Sequence, residues 1–423
     1  MKKWILKTAP FWILGSIISI GLISLPGSSR ADRRAPDTPL KQAAASTPDR
    51  EGPPLGGPKV LSTKTFRIAA KDLVRPRQGG SPSPAYISKG IRWALGAHSP
   101  DPAWSFDGTR IAYHDGVCIT IRKTDGALDR LLRPKGKARK HMGEGCRSPR
   151  WSHDDKRIVA SHSFHGPGML FEVGSKRGRL LSPRGNGLWS LSFIPGDRYL
   201  IGRVHQTGVG MIPVANPTKI LALTSKHVST MQGFFPSFSP DGKYAVRLLG
   251  DAWSDSARLE IITIGSDRPK RGSTKDPWEN LNKKGDYPAI VGEQSLTVET
   301  GAPVMDYAWG PDGTRLVAVV SKWYGGYDQY FYKPGELVFI DVAGGNLTRT
   351  GVIGSNPVWS PDGRYIAFDR PEKGIFLMAA TGGDYRPWKL HPRGMEPRWS
   401  PKADILFVLD PADGSGKLLT LTR

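Results

Sequence analysis

The sequence predicts an all-β fold, namely a single β-propeller of seven four-stranded blades. Three observations predict it: one phrase recurs seven times, its copies are spaced as propeller blades are, and the composition favours turns and short strands. The chain of 423 residues holds 50 Gly and 36 Pro, and 38% of its residues are hydrophobic. Such a chain is turn-rich, yet it has enough apolar material, including 13 Trp, to bury a core.

The recurring phrase is an aromatic anchor, then Ser-Pro-Asp-Gly or a variant, a basic residue and a short apolar strand. Its seven anchors are Trp104, Trp151, Phe193, Phe238, Trp309, Trp359 and Trp399. They follow one another at 40–50 residues, the length of one propeller blade, except for a single interval of 71. The excess lies in 266–303, which is predicted to be a polar and basic insertion.

Each copy predicts a β-hairpin, because Pro presets φ at the turn while Asp and Gly supply a side-chain hydrogen bond and a positive φ. The anchors are predicted to pack between blades. The last copy, Trp399 to Arg423, has room for about three strands. A strand from the N-terminal part, Thr65–Ala70 or Ile91–Leu95, is therefore expected to complete the last blade and close the ring.

The first 31 residues have the three-part pattern of a secretory signal peptide. Lys2 and Lys3 precede the apolar run Phe11–Leu25, and Ser29-Arg30-Ala31 offers small residues for cleavage. The alternative is an uncleaved N-terminal membrane anchor, although such a run spans only about 22 Å as a helix against a hydrocarbon core of ~30 Å. The expected location is therefore the periplasm or the outside of the cell.

Residues 32–60 are rich in Pro, Ala and Ser and show no apolar periodicity. Such composition buries too little surface to offset the entropy of ordering, so a disordered tether is predicted there. The propeller is predicted to occupy 61–423.

The formal net charge is +22, and the predicted mature chain keeps +18 because 1–31 holds four basic and no acidic residues. A charge of this sign attracts anionic polymers and lipid surfaces. No nucleic-acid motif is present, and export would separate the protein from DNA and RNA. The expected partners are an envelope protein or an anionic glycan or lipid surface, with no specific nucleic acid.

The segment Pro357-Val-Trp-Ser-Pro-Asp-Gly-Arg-Tyr-Ile-Ala-Phe368 resembles the repeat of the TolB-type, WD-like propeller family. The resemblance covers roughly 100–423 and implies a propeller, often a periplasmic one. The chain departs from TolB in two respects. Too little sequence precedes the repeat for an N-terminal α/β domain, and seven anchors exceed the six blades of that propeller.

The residues after the second strand of each blade are expected to form a ring on one face, which resemblance to other propellers identifies as the face that binds partners. The candidate ligand-binding residues there are His114, His162, His165, His205, Asp251, Trp253, Trp323, Tyr324, Tyr327, Asp369 and Arg370. Histidines from three adjacent blades could hold a divalent metal. The alternative is that these are ordinary polar loop residues.

The sequence contains no Gly-x-Ser-x-Gly elbow, no P-loop and no His-Glu-x-x-His. The expected function is therefore a non-enzymatic binding or scaffold protein of the cell envelope that needs no cofactor. The alternative is a secreted metal-dependent lyase or hydrolase that acts on an acidic polysaccharide.

Cys118 and Cys146 are the two cysteines of the chain. An even count in an exported protein predicts a disulfide between them. The alternative is two unpaired thiols.

Overall fold

The computed structural model describes part of the chain, all of it within the compact unit Ala44–Arg423. The described residues are 49, 52–54, 57–68, 102–115, 118–134, 146–161, 168–175, 177–181, 188–204, 208–217, 221–222, 237–249, 258–263, 295–321, 334–370, 372–410 and 414–422. Among these segments no helix is long and apolar enough to cross a membrane.

The regular elements of the described residues are β-strands. In chain order they are β1 (Val60–Arg67), β2 (Ala103–Trp104), β3 (Arg110–His114), β4 (Ile119–Lys123), β5 (Leu128–Leu132), β6 (Arg147–Trp151), β7 (Arg157–Ser161), β8 (Met169–Glu172), β9 (Arg177–Leu180), β10 (Leu188–Phe193), β11 (Tyr199–Val204), β12 (Gly208–Pro213), β13 (Leu221–Ala222), β14 (Ser237–Phe238), β15 (Tyr244–Leu249), β16 (Arg258–Thr263), β17 (Ser295–Val298), β18 (Val304–Trp309), β19 (Arg315–Val320), β20 (Gly335–Asp341), β21 (Leu347–Trp359), β22 (Tyr365–Arg370), β23 (Gly374–Ala379), β24 (Trp388–His391), β25 (Met395–Trp399), β26 (Ile405–Asp410) and β27 (Ser415–Leu421). The predicted all-β class is confirmed.

The strands form antiparallel sheets whose first strand ends at an aromatic anchor. Four sheets run in chain order, as β2–β5, β6–β9, β10–β13 and β14–β17, and a seven-stranded sheet follows as β18–β24. In that larger sheet the long strand β21 pairs with β20 through its first part and with β22 through its second part. It therefore ends one four-stranded unit and begins the next.

The last sheet has the order β1-β27-β26-β25. β1 runs antiparallel to β27, from Val60 opposite Leu421 to Arg67 opposite Ser415. The N-terminal strand of this sheet thus begins at Val60, at the end of the predicted tether, rather than at Thr65. The other candidate strand, 91–95, lies outside the described residues.

One strand lies inside the interval 266–303 that the sequence had assigned to an insertion. β17 pairs antiparallel with β16, with Ser295 opposite Ile262, and completes its sheet as the fourth strand. The reason for the error is that a four-residue strand after a long polar stretch gives no periodicity to detect.

The core lies between neighbouring sheets, because inner strands of the sheets are covered on both faces. β19 reads Arg-Leu-Val-Ala-Val-Val, and its last five residues are buried, as expected of a strand covered on both sides. One buried cluster joins Val246 of β15 to Leu316 of β19. Another joins Phe407 of the last sheet to Ile111 of the first.

A candidate binding face and the contacts that orient it

Four of the five anchor tryptophans join their four-stranded unit to the unit before it, whereas Nε1 of the fifth, Trp399, is buried and has no hydrogen-bond partner among the described residues. In three places the indole N–H donates to the residue that precedes the previous anchor: Trp151 to the Ala103 carbonyl at 3.0 Å, Trp309 to Ser237 Oγ at 2.8 Å and Trp359 to the Ala308 carbonyl at 3.2 Å. The same contact joins the first sheet to the last, since Trp104 Nε1 donates to the Arg398 carbonyl at 2.9 Å. Neighbouring sheets therefore have the same orientation.

In four of the seven copies the turn after the anchor is built around a serine and an aspartate. Ser105 Oγ donates to Asp107 Oδ1 at 2.6 Å and accepts from the Arg110 N–H at 3.0 Å. Burial opposes ionisation of Asp107, but hydrogen bonds from Ser105 and Thr109 outweigh it, so the pKa of Asp107 is lowered. The pKa values of Asp154, Asp241 and Asp362 are lowered as well: burial raises each of them, but the hydrogen bond from a turn serine and other favourable contacts outweigh it. These carboxylates stabilise the turns in their ionised form.

Asp155 links the turns of the first two anchor-bearing sheets. It occupies the turn position that is glycine in most copies and has a left-handed backbone with φ of 55°. Its two carboxylate oxygens accept the Phe106 N–H at 2.6 Å and the Asp107 N–H at 2.7 Å. A left-handed backbone is unfavourable for a residue with a β-carbon, and these two bonds offset that cost.

Asp197 repeats this contact between the next two sheets. Its φ is 56°, its carboxylate accepts the His153 N–H and the Asp154 N–H, both at 3.0 Å, and His153 Nδ1 lies 2.7 Å from Oδ1. The ring of His153 stacks on Phe106, with centroids 4.5 Å apart. His153 and Phe106 therefore form an oriented pair on the turn side.

The other copies follow a complementary rule. At the position that corresponds to Phe106 and His153, the other five copies have a proline, which has no N–H. These prolines are Pro195, Pro240, Pro311, Pro361 and Pro401. The corresponding position of the following sheet then holds no carboxylate: Gly242, Gly313, Gly363, Ala403 and Gly108. A β-carbon on Gly242 would lie 3.5 Å from Pro195, and one on Gly108 would lie 2.9 Å from Ser400. An aspartate thus occurs where the neighbouring turn offers an N–H to bind.

The side opposite these turns is the predicted binding face. Each second strand ends there and returns through a hairpin with the third strand: β3–β4, β7–β8, β11–β12, β15–β16, β19–β20, β22–β23 and β26–β27. Of the predicted ligand-binding residues the structure describes His114, Asp369 and Arg370. The others lie outside the described residues: His162, His165, His205, Asp251, Trp253, Trp323, Tyr324 and Tyr327.

His114 ends β3 and is fully buried. Its Nδ1 lies 3.0 Å from the Cys118 carbonyl oxygen, so the ring packs against the hairpin that follows it. Cys118 is disulfide-bonded to Cys146, with Cα atoms 4.4 Å apart, and both are fully buried. The predicted disulfide is confirmed, and it joins the first hairpin to the chain that enters the second sheet.

Asp369 is the penultimate residue of β22 and contacts two first strands. Its Oδ2 accepts Asn356 Nδ2 at 2.6 Å and the Glu396 N–H at 2.8 Å. Both partners have a left-handed backbone, with φ of 50° and 51°, where β21 and β25 shift register. These two bulges were not predicted, although the proline after each of them, Pro357 and Pro397, is a signal for a bulge in a strand.

Arg370 follows Asp369 and is held in a fixed pose. Its Nε donates to the Ile353 carbonyl at 2.8 Å, and its guanidinium carbon lies 4.5 Å from the ring centroid of Phe376. Its terminal NH1 group bonds Asp49 Oδ1 at 2.5 Å. Asp49 belongs to the predicted tether, and no local pattern in the sequence indicates this pair.

A second charged group lies at the corresponding end of the last sheet. Asp410 is fully buried, and its Oδ2 lies 2.6 Å from Lys417 Nζ and 3.3 Å from Arg393 NH2. Asp410 thus has two cationic partners. In the part of the chain that the structure describes, no group of three or more His, Cys, Asp or Glu side chains is placed to hold a metal ion.

Comparison with known proteins extends these observations. No family model matches the chain. The chain is 31% identical over 112 residues to the "Uncharacterized peptidase YuxL" of Bacillus subtilis (strain 168), which covers 25% of the chain and 17% of that protein. The chain therefore spans about a sixth of the length of this curated relative.

Two solved structures resemble the fold. Hydrazine synthase of Kuenenia stuttgartiensis aligns with a TM-score of 0.53 at 12% identity, and the β-propeller domain of Cps50 (Swd1) from Myceliophteria thermophila aligns with 0.52 at 11%. Each alignment covers 76% of this chain and 96% of the other. At such identities the likeness concerns the fold alone, and the chain has a β-propeller fold.

Proposed function

We propose that this protein is an exported, non-enzymatic β-propeller that binds a partner of the cell envelope on the face where the second strands end. The observation that carries the proposal is the anchor contact, which occurs at three junctions between consecutive four-stranded units and recurs between Trp104 and Arg398. It supports a closed ring of seven blades. Because equally oriented blades present equivalent hairpins on one side, a closed ring provides a continuous binding face.

The expected partner is an envelope protein or an anionic glycan or lipid surface. The net charge of +22 favours an acidic partner. Arg370, and Arg393 beside Asp410, supply positive charge on the same face. Cationic side chains around a concave or ring-shaped surface raise the local concentration of acidic partners and accelerate their association.

Export is supported by two features. Residues 1–31 have the pattern of a signal peptide, and the Cys118–Cys146 disulfide suits an oxidising compartment. The phrase around Trp359 further supports kinship with the TolB-like propellers, and hence a periplasmic or secreted protein.

The test is affinity capture from an envelope extract with the purified protein as bait, at low and at high ionic strength. We expect one envelope protein or glycan to be retained at low salt and released at high salt, because exposed charges are screened within about 8 Å at physiological ionic strength. A partner retained equally at both salt concentrations would contradict the electrostatic basis. A stoichiometric divalent metal in the purified protein would instead favour the metal-dependent enzyme.

A further inference from the structure

We propose that Arg370 is a receptor for a carboxylate of an acidic peptide segment, and that Asp49 of the same chain occupies it as an internal competitor. This inference rests on the proposed function, because it names the chemistry of the partner at that binding face. It goes further in assigning a regulatory role to the segment before β1.

The guanidinium of Arg370 is positioned independently of Asp49. The Ile353 carbonyl holds Nε at 2.8 Å, and the rings of Phe376 and Phe368 lie 4.5 Å and 5.6 Å from the guanidinium carbon. The side chain is only 13% exposed, and NH1 points at the carboxylate of Asp49. An arginine that is already oriented loses little freedom when it binds a carboxylate, and its planar donors match that group.

Asp49 can leave without disturbing the last sheet. Lys59 is held at the turn side, where its N–H donates to Thr422 Oγ1 at 2.9 Å and its carbonyl accepts the Thr422 N–H at 2.8 Å. Arg370 lies at the opposite end of its strand. The pairing of β1 with β27 continues to Arg67 opposite Ser415, and none of these bonds involves Asp49. We therefore expect β1 to stay paired when Asp49 is displaced.

The observed occupant favours a peptide over a glycan as the competing ligand. The carboxylate at Arg370 is an aspartate side chain of a polypeptide and is 42% exposed. The site thus accommodates an aspartate side chain, and an acidic segment of a partner protein would present its carboxylate in the same way.

The experiment measures binding of a fluorescein-labelled acetyl-Asp-Glu-Asp peptide by anisotropy to the full chain at low salt. Asp49→Asn removes the competing charge and is expected to tighten binding about fivefold, the size of effect that a part-exposed ion pair provides. Arg370→Gln is expected to abolish this binding with either residue at position 49. Arg370→Lys keeps the positive charge but loses the planar pair of guanidinium donors. The Arg370→Lys variant is therefore expected to bind the peptide more weakly than the Asp49→Asn variant does.

Asp384→Asn is the matched control. Asp384 pairs with Arg386 on the same blade, in the loop between its third and fourth strands, on the turn side. The substitution makes the same change of charge far from Arg370, so affinity is expected to stay at the wild-type value. The neutral acetyl-Asn-Gln-Asn peptide is expected to bind none of the variants.

Each other outcome overturns the inference. Equal affinity for wild type and Asp49→Asn would show that Asp49 does not compete. Peptide binding that survives Arg370→Gln, in a variant with a wild-type near-ultraviolet spectrum, would place the site elsewhere. If the peptide binds no variant, or if alginate rather than the peptide gains affinity in Asp49→Asn, the acidic peptide is the wrong ligand. The proposed function fails by a separate result, the absence of any partner in the capture experiment.

Discussion

Replacing Asp197 with alanine is expected to destabilise the propeller by about 3 kcal/mol. The carboxylate is 7% exposed and accepts two backbone N–H groups, those of His153 and Asp154, across the junction between two sheets. Hydrogen bonds to a charged acceptor contribute roughly 1.5–3 kcal/mol each. Because the turn is partly open to water, the lower value applies to both bonds. Alanine also keeps the β-carbon at φ of 56° and so relieves no strain.

Two further substitutions divide this cost into parts. Asp197→Asn keeps one acceptor oxygen and tolerates the left-handed backbone, so about half the loss, about 1.5 kcal/mol, is expected. Asp197→Gly loses both bonds but relieves about 1 kcal/mol of backbone strain, which gives a net loss of about 2 kcal/mol. The predicted order of destabilisation is therefore alanine, then glycine, then asparagine.

The assay is urea unfolding followed by tryptophan fluorescence, with the free energy of unfolding obtained by linear extrapolation. Asp384→Asn serves as the control, because that carboxylate is 44% exposed and pairs with Arg386 two residues away. A loss below 0.5 kcal/mol for Asp197→Ala would refute the reasoning. So would a glycine variant less stable than the alanine variant.

Three further predictions concern ring closure, the disulfide and alkaline pH. Trp104→Phe removes the indole hydrogen bond between the first and last sheets and is expected to lower the free energy of unfolding in urea by about 1 kcal/mol. Trp151→Phe, which removes the same bond between consecutive sheets, is expected to have an equal effect. A loss of stability for Trp151→Phe but not for Trp104→Phe would argue against ring closure. Replacing Cys118 and Cys146 with serine is expected to cost about 3–4 kcal/mol, because the bridge closes a loop of 28 residues, and denatured, unreduced protein should show no reactive thiol. Withdrawal of its hydroxyl from water raises the pKa of Tyr307 to about 12, so its contribution to stability is present below pH 10 and declines as pH rises from 10 to 12. Burial also raises the pKa of Tyr113, so ultraviolet titration should detect more than one late tyrosine, and Tyr307→Phe should remove one of them.

The fold could be predicted because its signal is periodic and local. Seven anchors, separated by 40–50 residues in all but one interval, specify repeating hairpins. The Ser-Pro-Asp-Gly turns form with the bonds expected of those residue types. β17 and the start of β1 escaped prediction for a physical reason. A short edge strand is selected by the partner strand it meets, such as Leu418 and Leu421 of β27 for β1, and not by its own propensity.

The candidate site was less predictable, because its contacts cross between blades. The sequence placed Asp369 and Arg370 at the end of a second strand, which is where they lie. It could not show that Asp369 accepts the N–H of Glu396, or that Arg370 pairs with a residue 321 positions away. Such pairs depend on which blades are neighbours. The bulge at Asn356 was readable in principle, because a proline two residues before an anchor disrupts strand pairing.

An aspartate in one turn faces a residue with an N–H in the neighbouring turn, whereas a glycine or alanine faces a proline. A double-mutant cycle at the first junction between turns tests whether these two positions interact. Phe106→Pro removes one donor from Asp155 and the stacking on His153, and Asp155→Gly leaves the N–H groups of Phe106 and Asp107 to water while relieving the strain at φ of 55°. Each single change is expected to cost about 1 kcal/mol. The double variant recreates the proline and glycine pair found at four other junctions, so it should cost at least 0.5 kcal/mol less than the sum. Additivity within about 0.3 kcal/mol would mean that the two positions do not interact, and the correspondence around the ring would then have no energetic basis.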